Sequence, residues 1–108
     1  MSDNLGEFEQ LVMLAVLRLD DEGYGTSIRD ELKVRAERDV SPGAIFTTLE
    51  RLEHRGLVTS RYGEPTSERG GRRKRFYRLT VDGRRALARA LRVVKRMARG
   101  LEPKLERS

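Results

Sequence analysis

Between Arg69 and Arg78 the chain reads RGGRRKRFYR, ten residues with six positive charges and no acid. Like charges this close repel one another unless a counter-charge arrives. The chemistry open to Arg69, Arg72, Arg73, Lys74 and Arg75 is therefore the neutralisation of a polyanion. Each phosphate they meet would release condensed counterions, so binding should weaken steeply with salt. Gly70 and Gly71 put no side chain between the backbone and a large partner. A second set lies upstream in SPGAIFTTLERLEHRG, residues 41–56. Ser41, Pro42, Gly43 and Ala44 are small and would let a helix start come close to a duplex, where its N–H groups and dipole favour a phosphate. Thr47 and Thr48 can meet base edges or a thymine methyl, and Arg51 can reach guanine or phosphate.

Other chemistries lack their residues. There is no cysteine and a single histidine, His54, so neither a disulfide nor a nitrogen- and sulfur-rich metal site can be built. No glycine-rich loop ends in Lys-Ser/Thr, and no nucleophile stands near a histidine. The chain reads as a non-enzyme with no cofactor. His54 reads as a solvated helix position, and Asp20, Asp21 and Glu22 as a helix-ending loop beside glycine.

The elements that must position these residues follow from periodicity. Residues 8–19, FEQLVMLAVLRL, repeat Phe8, Leu11, Val12, Ala15 and Leu19 at helical spacing. Leu14, Val16 and Leu17 fill much of the remaining circumference, so this helix must be covered on more than one side. In so small a chain the second cover is expected from another subunit. A second helix is expected over 27–38 after a Thr26 N-cap, with Ile28, Leu32 and Ala36 inward. The third has the clearest start, Ser41 as N-cap and Pro42 in the first turn, with Gly56 as its stop. Ile45, Leu49 and Leu52 mark its buried side; Ala44, Thr47, Thr48, Arg51 and Arg55 are expected on the other. The period then changes to two. Val58, Ser60 and Tyr62 alternate with Thr59 and Arg61, and Tyr77 and Leu79 with Phe76 and Arg78, giving two short strands. Tyr77 is expected to back the core. GEPTSERGGRR between them is a hairpin loop. Thr80 caps a last helix to about Gly100, lined by Leu87, Ala90, Leu91, Val94, Met97 and Ala98, with Leu101 extending it.

The 108 residues allow one modest core, with 37% hydrophobic and 37% charged residues. The net charge of +6 is segregated: residues 1–31 carry two Arg against eight acids, whereas residues 32–108 carry 21 basic residues against nine acids. A segregated basic surface points to nucleic acid. No apolar run is long enough to span a membrane, and the acidic start MSDNLGEFEQ is unlike a signal peptide. With no cysteine, a cytoplasmic location is expected.

Three helices, a strand, a basic loop, a strand and a helix form a winged helix-turn-helix, mainly α with a small β-hairpin. Residues 1–80 would be the DNA-binding domain and 81–108 a C-terminal dimerisation helix and tail. In such a unit the third helix enters the DNA major groove, and the hairpin lies over the backbone or the adjacent minor groove. A general nucleic-acid-binding or RNA-binding winged-helix module is the alternative reading.

The string SPGAIFTTLERLEHRG, with LVTS, GGRRKRFYRLT and VDGRRAL after it and GYGTSIRDEL before it, resembles the PadR family of bacterial transcriptional regulators over roughly residues 8–91. That resemblance implies a homodimeric repressor on a palindromic operator. It also implies a C-terminal helix that pairs with its partner and packs on the first helix. Phe8, Leu11, Val12, Ala15, Leu87, Leu91, Val94, Met97 and Leu101 would line that contact. The chain is similar to the short members, with one C-terminal helix. Family dimers can enclose an apolar pocket between subunits, which leaves room for a small effector of unknown identity. Where members often carry Tyr, this chain has Phe46, which lacks the hydroxyl and is expected to pack at the core's edge.

Overall fold

The computed structural model describes residues 4–64 and 73–107. Helix α1 spans Glu7–Leu19 and ends in a 3-10 turn at Asp20–Glu22; α2 spans Gly25–Arg35 and α3 Pro42–His54. Strands β1, Val58–Tyr62, and β2, Arg75–Leu79, precede α4, Val81–Ala98, and a short α5, Glu102–Glu106.

Local chemistry explains the boundaries. The Ser41 hydroxyl accepts from the Ala44 N–H at 3.1 Å, and Pro42 occupies the first turn of α3. At the other end Gly56 adopts φ +75°. Its N–H returns to the Glu53 carbonyl and the Leu57 N–H to the Leu52 carbonyl, both at 3.0 Å, the bond pair of a Schellman stop. Thr80 accepts from the Gly83 N–H at 2.9 Å and donates to the Gly56 carbonyl at 2.7 Å. One side chain thus caps α4 and ties it to the end of α3.

Helix α2 departs from expectation at both ends. It begins before Thr26, because the Ser27 hydroxyl accepts from the Tyr24 N–H at 2.9 Å and sets Tyr24 as the cap position. It ends at Arg35, since Glu37 turns the chain at φ +53° and the Arg38 N–H bonds back to the Leu32 carbonyl. The last helix also stops earlier than Leu101; Gly100 at φ +81° separates α4 from α5.

The strands pair antiparallel, with Val58 opposite Leu79, Ser60 opposite Tyr77 and Tyr62 opposite Arg75. Val58, Tyr77 and Leu79 are buried, so one face of the hairpin closes the core over α1 and α3. The Gly23-Tyr24 backbone joins the sheet's edge: the Tyr77 N–H donates to the Gly23 carbonyl at 2.8 Å, and Tyr24 bridges Phe76. Tyr24 and Phe76 also meet edge to face, centroids 5.5 Å apart.

Helix α1 is the central rod. Val12, Met13, Ala15 and Val16 are buried against α2, α3 and the hairpin. Part of the cover expected from another subunit thus comes from this chain itself, while Leu17 on the same helix stays 48% exposed. Val12, Ala15 and Leu87, expected at a dimer contact, belong to the chain's own core and have no surface left to offer. Phe8 and Leu11 are only partly buried. Beyond Leu87 the situation reverses. Leu91, Val94, Met97, Leu101 and Leu105 stand exposed, Met97 to 75%.

Candidate nucleic-acid interface

Helix α3 buries Ile45, Thr48, Leu49 and Leu52. At 3.6 residues per turn the opposite line is Gly43, Thr47, Glu50 and His54, flanked by Phe46 and Arg51, and all six are exposed. Thr48 was expected on this outer face; it is 5% exposed. Its position between Ile45 and Leu52 turns it inward, so Thr48 supports the core and cannot reach a base. Ala44 lies half-buried at the flank, while Ser41 and Pro42 are exposed at the helix start. Phe46 is 52% exposed rather than packed at the core's edge. It borders a shallow depression with Pro42, Ile45, Leu49 and Tyr77.

The hairpin stands beside α3. Of the basic loop, Arg69, Gly70, Gly71 and Arg72 lie outside the described residues. Arg73 and Lys74 are exposed, and the Lys74 ammonium sits 4.4 Å from the Tyr24 ring centroid. Such a contact leaves the charge available while restricting the side chain.

Arg75 differs from its neighbours. Its guanidinium donates to Glu53 Oε1 at 2.7 Å, Glu50 Oε1 at 3.2 Å and the Ser60 hydroxyl at 3.0 Å. Ser60 in turn donates to Glu53 Oε2 at 2.8 Å. Two carboxylates already neutralise this arginine, so it ties the hairpin to α3 instead of standing free for phosphate, the role expected from its place in the basic run. Burial works against its charged form, but the Tyr77 phenolic oxygen and the two carboxylates outweigh that, and its pKa lies above the ordinary value. Burial is the main cause that pushes the Tyr77 phenol up; Arg75 opposes it, and Glu53 and Glu50 add to it. Arg78, the last cation of the run, pairs with Asp21 at 2.7 Å, and Arg61 lies 4.9 Å from the Phe76 ring centroid. The described part of the run thus divides into paired cations, Arg75 and Arg78, and outward ones, Arg73 and Lys74.

Sequence reasoning missed Glu50 on the outer line and the Arg75 brace. The signal was present, since Glu50 lies three residues beyond Thr47 and four before His54. An acid beside a polyanion site is easily passed over. Among the described residues no group of three His, Asp or Glu side chains could hold a metal ion, and no helix is long and apolar enough to cross a membrane.

Comparison with known proteins places this arrangement. The family model described as the transcriptional regulator PadR-like family matches residues 13–89. The chain is 39% identical over 80 residues to the transcriptional regulator Rv3488 of Mycobacterium tuberculosis, covering 74% of this chain and 70% of that one. Among solved structures, a PadR family transcription regulator of Clostridium difficile R20291 superposes with a TM-score of 0.71 at 26% identity, over 91% of this chain and 98% of that one. A PadR-like transcription factor of Bacteroides fragilis gives 0.71 at 26%, over 83% and 82%.

Proposed function

The chain belongs to the PadR-like family of transcriptional regulators, and on that premise we propose that it binds a palindromic operator as a homodimer and represses transcription. In this reading α3 enters the major groove and presents Thr47 and Arg51 to base edges. The small residues Ser41, Pro42, Gly43 and Ala44 let its start approach a phosphate. The wing, Arg69 through Lys74, tracks the neighbouring backbone. Leu91, Val94 and Met97 of α4, with Leu101 just beyond it and Leu105 of α5, seal the dimer. Twofold symmetry would then set the two α3 helices about 34 Å apart, one turn of B-form DNA.

The observation that carries this reading is the pairing of two faces on one small chain. An α3 outer face stands beside the basic hairpin, and an apolar stripe on α4 is exposed among the described residues. Burying a side chain such as Leu or Met is worth about 1.5–3 kcal/mol, so five exposed together favour association. Selection from a random duplex pool, followed by competition with single strands and RNA, tests it. The expected outcome is a palindromic consensus that outcompetes both. Equal affinity for single strands or RNA would replace it with a general nucleic-acid-binding role.

A further inference from the structure

The outer line of α3 carries a carboxylate where a polyanion would have to approach. An acid there repels phosphate, and a surface serving only to bind phosphates would gain from its removal. Glu50 is nonetheless held in place. Arg75 reaches its Oε1 at 3.2 Å, and that arginine is itself fixed by Glu53 and Ser60. The side chain is still 49% exposed. Its second oxygen has no partner among the described residues. The result is a carboxylate with its charge largely offset from behind and one acceptor left over, on the same line as Thr47 and His54.

We infer that Glu50 is a specificity-determining residue, its carboxylate accepting a hydrogen bond from the exocyclic N4 amine of a cytosine in each half-site. This rests on the reading above that α3 lies in the major groove. A carboxylate is an acceptor only. In the major groove guanine presents two acceptors and thymine a carbonyl and a methyl, and both reject it. Adenine presents a donor beside the N7 acceptor, and that acceptor faces a second negative atom. Cytosine alone shows a donor with no competing acceptor. The Arg75 guanidinium limits the electrostatic cost at the flanking phosphates and restricts the side chain to one region of the groove.

The test uses the full chain and its Glu50→Gln and Glu50→Ala variants in parallel selections from random duplexes, with binding then measured on the four single-base variants of the consensus. Both substitutions are at an exposed position, and a thermal melt confirms that each variant is folded. The wild type should prefer C at one position per half-site by about tenfold. Glu50→Gln should shift that column toward A, because an amide can both donate to N7 and accept from N6. Glu50→Ala should flatten that column and leave the others. If all three proteins yield a consensus with identical columns, Glu50 reads no base, while the placement of α3 stands. If the wild type enriches no duplex, the placement of α3 fails and this inference falls with it.

Discussion

Arg75 and Tyr77 show how position changes the work of a residue type. Arg75 is the only described cation of the basic run with two carboxylates in reach, at 2.7 and 3.2 Å. Charge-assisted bonds of this partly exposed kind are worth about 1–2 kcal/mol together once solvent screening is allowed for. Arg75→Ala should lower the unfolding free energy from denaturant titration by that amount, and Arg75→Lys should recover only part, since an ammonium lacks the planar fork. Arg73→Ala should leave stability alone and make DNA binding less salt-dependent. Each lost phosphate contact removes about 0.9 from the slope of log K on log salt, counted twice in a dimer. A shallower slope for Arg75→Ala equal to that for Arg73→Ala would contradict the brace. Tyr77 adds a pH dependence. Its folded-state pKa is raised above 10.0, chiefly by burial. Its contribution to stability is therefore whole below pH 10 and is lost as pH rises through the folded-state value. Melting curves between pH 9 and 11 should fall more steeply for the wild type than for Tyr77→Phe.

At the scale of elements the critical joint is where α4 leaves the hairpin. Gly83 lies in the first turn of α4 against the segment that follows α3. A Cβ there would come within 1.9 Å of the Leu57 carbonyl oxygen. The same carbonyl accepts from the Thr80 N–H at 3.0 Å, so it is already held in place. Gly83→Ala would have to push α4 off its seat, at a cost of about 1–3 kcal/mol, despite alanine's higher helix propensity. Calorimetry showing an unchanged or raised Tm would contradict this. The caps of α3 and α4 and the two strands could be read from residue order, because Ser-Pro, Gly56, Thr80 and period-two alternation act through neighbours in sequence. Gly83 could not. Its need for a bare backbone comes from Leu57, a residue 26 positions away that only folding brings near.

At the scale of the whole molecule, the chain separates into a closed core and an open stripe. Ala86 and Leu87 end the core, and beyond them Leu91, Val93, Val94 and Met97 of α4 stand exposed among the described residues. Val94→Glu with Met97→Glu should leave the monomer's core intact and place two like charges at the centre of the proposed contact. Light scattering should then report a monomer at micromolar concentration, and operator affinity should drop by orders of magnitude through loss of the second half-site. A dimer that survives both charges would mean that another surface joins the subunits.

Residue order alone determined the order of the main elements, the family and the basic character of the hairpin, because each depends on spacing or composition along the chain. Only the tertiary structure decided which side of each helix stays open. It set Arg75 against Glu50 and enclosed Val12, Ala15 and Leu87 within one chain. The physical reason is that a helical repeat gives the width of an apolar stripe but not how much of it neighbouring elements will cover. An ion pair such as Arg75 with Glu53 joins residues 22 apart, and no local rule of spacing links them.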